Sequence, residues 1–100
     1  MIEILDNKMF EASLQKDKVI VTFYTNWCPI CKMLKFSLEE YEELHQEIEI
    51  VRVNFANFEE LAHNLGVRAV PTTLFYINGE LVDKMNGKLE IDEIDEIFYH

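Results

Sequence analysis

The segment Trp27-Cys28-Pro29-Ile30-Cys31-Lys32 constrains this chain more than any other, because it holds both cysteines of the 100 residues, two positions apart, directly after the apolar run Val19 to Tyr24. Two thiols at a strand-to-helix turn place the first sulfur over the unpaired N–H groups of the helix start, which lowers its pKa. The second sulfur then sits one turn deeper, within reach for a disulfide. An exposed thiolate beside a resolving thiol is the arrangement needed for exchange chemistry. The same spacing also supplies half of a zinc site. A structural zinc needs two further ligands, and the chain offers only His45, His63 and His100, none in a His-x3-5-His pair. Intrachain metal binding and inert core cysteines stand beside the redox reading as alternatives, as does a metal shared between two chains.

Charge distribution narrows the function classes. The formal net charge is −10, and no basic stripe is available to displace counterions from a nucleic acid. From Lys18 to Leu38 there is no Asp or Glu, and from Leu61 to Gly79 Arg68 is the sole formal charge. These acid-free stretches bracket the candidate site segments and suit a thiolate, although buried strands also lack charges. No apolar run is long enough to span a membrane, and the Met1 to Asp6 start lacks the basic and apolar pattern of a signal peptide. The expected location is cytoplasmic, where a single Cys-x-x-Cys is catalytic before it is structural.

In chain order, Met1 to Leu5 reads as a short strand, and Asp6 or Asn7 caps a helix through about Lys16, with Phe10 and Leu14 at helical spacing. Val19 to Tyr24 has the pattern of a central strand covered on both faces. Pro29 falls at a first helical position, where its missing N–H costs nothing. The helix to about His45 puts Cys31, Leu34, Leu38 and Tyr41 on one stripe, and its acidic far end reads as a solvated face. Ile48 to Val53 is a third strand, and Asn57 to Leu65 a helix closed by Gly66. Thr72-Thr73 leads into Leu74 to Ile77, Asn78-Gly79 turns the chain into Leu81 to Met85, and this pair is an antiparallel hairpin. A turn at Asn86-Gly87 precedes a closing helix from about Glu90 to Tyr99, with Ile91, Ile94, Ile97 and Phe98 inward. The order is βαβαβαββα, an α/β class with a mixed sheet flanked by four helices. At this length it forms one domain, residues 1–100.

Three signals together resemble the thioredoxin family over nearly the whole chain: Trp27-Cys28-x-x-Cys31 at a strand-to-helix turn, Gly66-Val67-Arg68-Ala69-Val70-Pro71-Thr72 about forty residues on, and the Asn78-Gly79 hairpin followed by Gly87. With the five expected strands numbered β1 to β5 in chain order, the resemblance implies a thioredoxin fold with sheet order β1-β3-β2-β4-β5. It also implies a small thiol-disulfide oxidoreductase without a metal or other cofactor beyond its redox-active Cys28-Cys31 disulfide. Cys28 would attack and Cys31 resolve. Pro71 would be a cis proline, Val70 would offer its backbone to a substrate, and Trp27, Pro29, Ile30 and Gly87 would complete the binding face. The implied partners are protein disulfides and an upstream reductase, with no nucleic acid or membrane, and the chain would act as a monomer. A non-catalytic thioredoxin-like peptide-binding module and a glutaredoxin-like reductase are the alternatives. The chain departs from the family pattern at three places. Pro29-Ile30 stands between the cysteines where Gly-Pro is typical, Thr22 stands where the family has a buried Asp, and Arg52 replaces a lysine. These departures bear on the speed and direction of exchange and leave the fold intact.

Overall fold

The computed structural model describes residues 1–99, and its centre is the strand the apolar run calls for. Strand β2, Lys18–Tyr24, is buried at every residue from Val19 onward, so both of its faces are covered. Its two neighbours are β3, Glu49–Asn54, which runs parallel, and β4, Thr72–Ile77, which runs antiparallel. Strand β1, Ile2–Glu3, adds in parallel to β3, and β5, Glu80–Asn86, pairs antiparallel with β4 through the Asn78-Gly79 turn. Asn78 and Gly79 both have positive φ, the geometry a two-residue hairpin turn needs. The sheet order is β1-β3-β2-β4-β5, as the resemblance implied.

Alternation along the strands divides the core in two. On one face Val19, Val21, Phe23, Val51, Val53, Leu74 and Tyr76 pack with Phe10 of helix α1, Asn7–Ser13, and Ala62 of helix α3, Glu59–Asn64. On the other, Ile20, Ile50 and Phe75 meet Leu34, Leu38 and Tyr41 of helix α2, Pro29–Leu44, and Ile94 and Phe98 of helix α4, Ile91–Tyr99. The Tyr41 hydroxyl donates to Asp95 Oδ1 at 2.8 Å, which ties α2 to α4. Ile91 and Ile97, expected inward, are only partly buried at the edge of this second core.

Several boundaries differ from the sequence reading. Helix α1 is capped by Asp6, whose side chain accepts from the Met9 N–H, but it ends at Ser13. The N–H groups of Leu14 and Gln15 turn to the carbonyls three residues back, Glu11 and Ala12, and this tightening closes the helix before Lys16. The expected Asn57 to Leu65 helix is two pieces, a 3₁₀ turn at Phe55–Asn57 and α3, separated by Phe58 at non-helical φ −134°. Gly66, at φ +75°, ends α3, with Val67 N–H donating to Ala62 C=O at 2.8 Å. Glu47, beyond the acidic end of α2, is exposed like the solvated face expected there, and it also accepts from the Tyr99 hydroxyl and lies 3.4 Å from His45 Nδ1.

Candidate redox site

Strand β2 delivers the chain to the site, and α2 begins there. Thr25 is buried, Asn26 and Trp27 are exposed, and Cys28 is the N-cap of α2, in extended backbone at φ −98° and ψ 110°. Pro29 follows at the first helical position, where no N–H is required. The Cys31 N–H donates to Cys28 Sγ at 3.2 Å. The first cysteine thus fills the capping role that Ser or Asp usually takes, and a free N–H of the helix start is aimed at its sulfur. Both cysteines are free thiols, Cys28 half-exposed and Cys31 only 5% exposed on the buried stripe.

Burial pushes the Cys31 thiol up to about 11, and the neighbouring Cys28 sulfur adds to the shift. The Thr25 backbone and, more weakly, Arg52 pull the other way. The guanidinium of Arg52 lies 3.7 Å from the Tyr24 ring centroid and 3.5 Å from Glu3 Oε1. Tyr24 donates to Glu3 Oε2 at 2.7 Å, so Arg52, Tyr24 and Glu3 form one cluster at the β1 side of the site.

Thr22 is buried in mid-sheet, opposite Arg52 on β3 and Thr73 on β4. The hydroxyls of Thr25 and Thr73 are buried and have no hydrogen-bond partner among the described residues. The sequence reading singled out Thr22 and missed these two. Thr72-Thr73 at the head of a buried strand was the available signal, since consecutive polar residues there occupy both faces.

The second segment meets the first through the pairing of Phe23 with Thr72, which brings Pro71 level with Tyr24. The Val70–Pro71 peptide bond is cis, Pro71 is buried and Val70 half-buried. Gly87, at φ +83°, donates its N–H to the Pro71 carbonyl at 2.9 Å, so the β5–α4 turn abuts the proline. The Thr72 hydroxyl donates to the Ala69 carbonyl at 2.6 Å and lies 2.8 Å from the Asn86 side-chain amide. Trp27 is 74% exposed, and Pro29 and Ile30 are exposed with it on the surface that carries Cys28. A cleft of about 600 Å³ lies at the ends of β1, β2 and β3 between Glu3, Tyr24, Asn26 and Asn54, and neither cysteine lines it. Among the described residues no group of three His, Cys, Asp or Glu side chains could hold a metal ion, and His100 lies outside those residues.

A half-exposed thiol at a helix N-cap with a buried partner thiol one turn on is an arrangement suited to thiol-disulfide exchange. The family model described as Thioredoxin matches residues 1–99. A thioredoxin of Listeria monocytogenes is 30% identical over 98 residues, covering 97% of this chain and 95% of the relative. One from Mycoplasmoides gallisepticum is 32% identical over 80 residues, covering 80% of each. The structure of a mutant thioredoxin from Halobacterium salinarum superposes with a TM-score of 0.89 at 26% identity, covering 96% of this chain and 86% of that one. The chain belongs to the thioredoxin family. It has the thioredoxin fold and is a thiol-disulfide oxidoreductase.

Proposed function

We propose that Cys28 attacks protein disulfides and Cys31 resolves the intermediate. The observation that carries this assignment is the asymmetry between the sulfurs: one is half-exposed and accepts an N–H of the helix start, and the other is buried and held protonated. The Cys28 thiolate attacks one sulfur of the substrate disulfide, the substrate S–S bond breaks, and the leaving thiolate takes up a proton. Cys31 then loses its proton and attacks Cys28 Sγ, which expels the second substrate thiol and leaves a Cys28-Cys31 disulfide. Two electrons have passed to the substrate. A reductase upstream supplies two further electrons and restores the dithiol, and no metal or other cofactor takes part.

Trp27, Pro29, Ile30, Val70, Pro71 and Gly87 form the face that receives the substrate, which adds its backbone to that of Val70 as an edge strand. Residues 1–100 act as one domain and as a monomer, in the cytoplasm, where a reducing environment keeps a lone Cys-x-x-Cys cycling. Catalytic reduction of a generic protein disulfide, with a chemical reductant supplied in excess, tests the activity. Turnover is expected. A thioredoxin-like binding module would bind the substrate without turnover, and a glutaredoxin-like enzyme would turn over only with glutathione.

Resolution carries its own pH signature. Burial, the largest cause of the raised Cys31 pKa, persists in the mixed disulfide, so the thiol stays mostly protonated near neutral pH, and the rate of release rises with pH as its thiolate fraction grows. The sign follows from deprotonation creating the nucleophile. A general base under Cys31 would flatten this dependence, and Thr22 has no such basicity. Thr22→Asp is expected to speed release near neutral pH by at least about tenfold, short of the roughly 10²–10⁴-fold of a well-placed general base, while lowering stability because a carboxylate is buried. Rapid-quench measurement of the mixed disulfide follows both effects. Unchanged release in the variant would show that proton removal from Cys31 is not limiting.

A further inference from the structure

Beside the segment that leads into Pro71 lies a pocket of about 350 Å³, lined by Gly66, Arg68, Ala69, Lys84 and Asn86. Its two charged residues are both cations, on a protein with 19 acids and nine Lys and Arg. Strand alternation produces this separation. Lys84 and Asn86 project from one face of β5 toward Arg68, whereas Asp83 and Met85 project from the other, into a different cleft with Glu93 and Glu96. Lys84 is held at the pocket by a hydrogen bond, and Arg68 is exposed beside it. Lys84 Nζ donates to the Gly66 carbonyl at 3.1 Å, which uses one of its three hydrogens. Among the described residues Arg68 makes no ion pair within 4.0 Å, unlike Arg52 with Glu3 or Lys88 with Glu90. The far wall is joined to the proline segment through the Thr72 hydroxyl, which touches both the Ala69 carbonyl and the Asn86 amide.

We propose that this pocket takes the carboxylate of an acidic residue next to the attacked cysteine, so that the protein selects disulfides in acidic segments. The proposal rests on the reading that Val70 receives the substrate backbone. Ala69 and Arg68 immediately precede Val70, so a chain laid along Val70 passes the mouth of the pocket. The Arg68 fork, the remaining Lys84 hydrogens and the Asn86 amide supply donors of the kind a carboxylate accepts. The protein's net charge of −10 opposes an acidic substrate at long range, but exposed charges beyond about 8–10 Å are largely screened at physiological salt, and the pocket acts at contact.

The test uses the reduced full-length protein and two symmetrical peptide disulfides, alike except for Glu or Gln at the positions flanking the cysteine. Single-turnover rates are read from the fluorescence of Trp27, the one tryptophan, and each is divided by the rate of the same peptide with dithiothreitol to cancel intrinsic reactivity. The Glu-to-Gln ratio is expected to be about fivefold at low ionic strength, as two partly exposed ion pairs give, and to fall toward one in ~0.5 M salt. Arg68→Gln combined with Lys84→Gln brings the ratio to one or below, and Lys84→Arg keeps it. A ratio of one in the native protein, with both peptides reacting, overturns the carboxylate pocket and leaves the exchange activity standing. A preference that survives the double variant also overturns it. If neither peptide reacts, the exchange reading fails, and the pocket assignment fails with it.

Discussion

Cys28→Ser is expected to abolish disulfide exchange, with a loss of at least about 10³-fold in turnover, because the attacking sulfur is the group removed and no other exposed thiol exists in the chain. Cys31→Ser gives a different defect. It keeps the Cys28 sulfur at the N-cap, where the N–H of residue 31 still points at it, and removes only the resolving thiol. The first step then proceeds and the second cannot. The variant accumulates as a mixed disulfide with its substrate, visible by non-reducing electrophoresis and released by dithiothreitol. Trapping through Cys31 in the Cys28→Ser protein would contradict the division of labour, since Cys31 is only 5% exposed and held protonated by burial.

Leu38→Ala is expected to lower stability by about 2–5 kcal/mol, the range for a leucine deleted from a packed core. Leu38 has no exposed surface and lies on the α2 stripe between Cys31 and Tyr41, in the core formed with Ile20, Ile50 and Phe75. Its loss leaves a cavity under the helix that positions both sulfurs, and the rigid sheet closes it only in part. For a domain of about 100 residues, each kcal/mol corresponds to about 4–8 °C in Tm, so the midpoint falls by about 10 °C or more. Urea titration checks the magnitude. A loss below about 1 kcal/mol would mean that the helix repacks freely on the sheet.

The parts of the fold most legible in the sequence were those where one physical demand dominates. Val19 to Tyr24 could only be a strand covered on both faces, and Pro29 with the Cys31, Leu34, Leu38 and Tyr41 spacing placed both the start and the buried side of α2. The hairpin at Asn78-Gly79 was readable because its turn needs positive φ at both residues. Ends set by local competition were not readable. Whether α1 continues past Ser13 depends on a switch between carbonyls three and four residues back, and nothing in the side chains of Leu14 or Gln15 announces it.

The same distinction holds at the site. Cys28 and Cys31 announce themselves by type and spacing, and Pro71 stood out only through the family resemblance. What surrounds them depends on register between strands far apart in sequence. That Thr73 faces Thr22, and that Lys84 and Asn86 share a pocket with Arg68, follows from how β4 pairs with β2 and β5, including the irregularity between Phe75 and Tyr76. No single segment contains that information.

Competitive alkylation of the fully reduced native protein at mildly acidic to neutral pH, with peptide mass spectrometry to separate the two cysteines, tests the central claim most directly. The half-exposed N-cap sulfur with an N–H aimed at it should be labelled first, and the buried Cys31 should lag by at least about tenfold, closing the gap only as pH approaches its value of about 11. Labelling of Cys28 well ahead of Cys31 is the result this account predicts, and faster labelling of Cys31 would reverse the roles of the two cysteines.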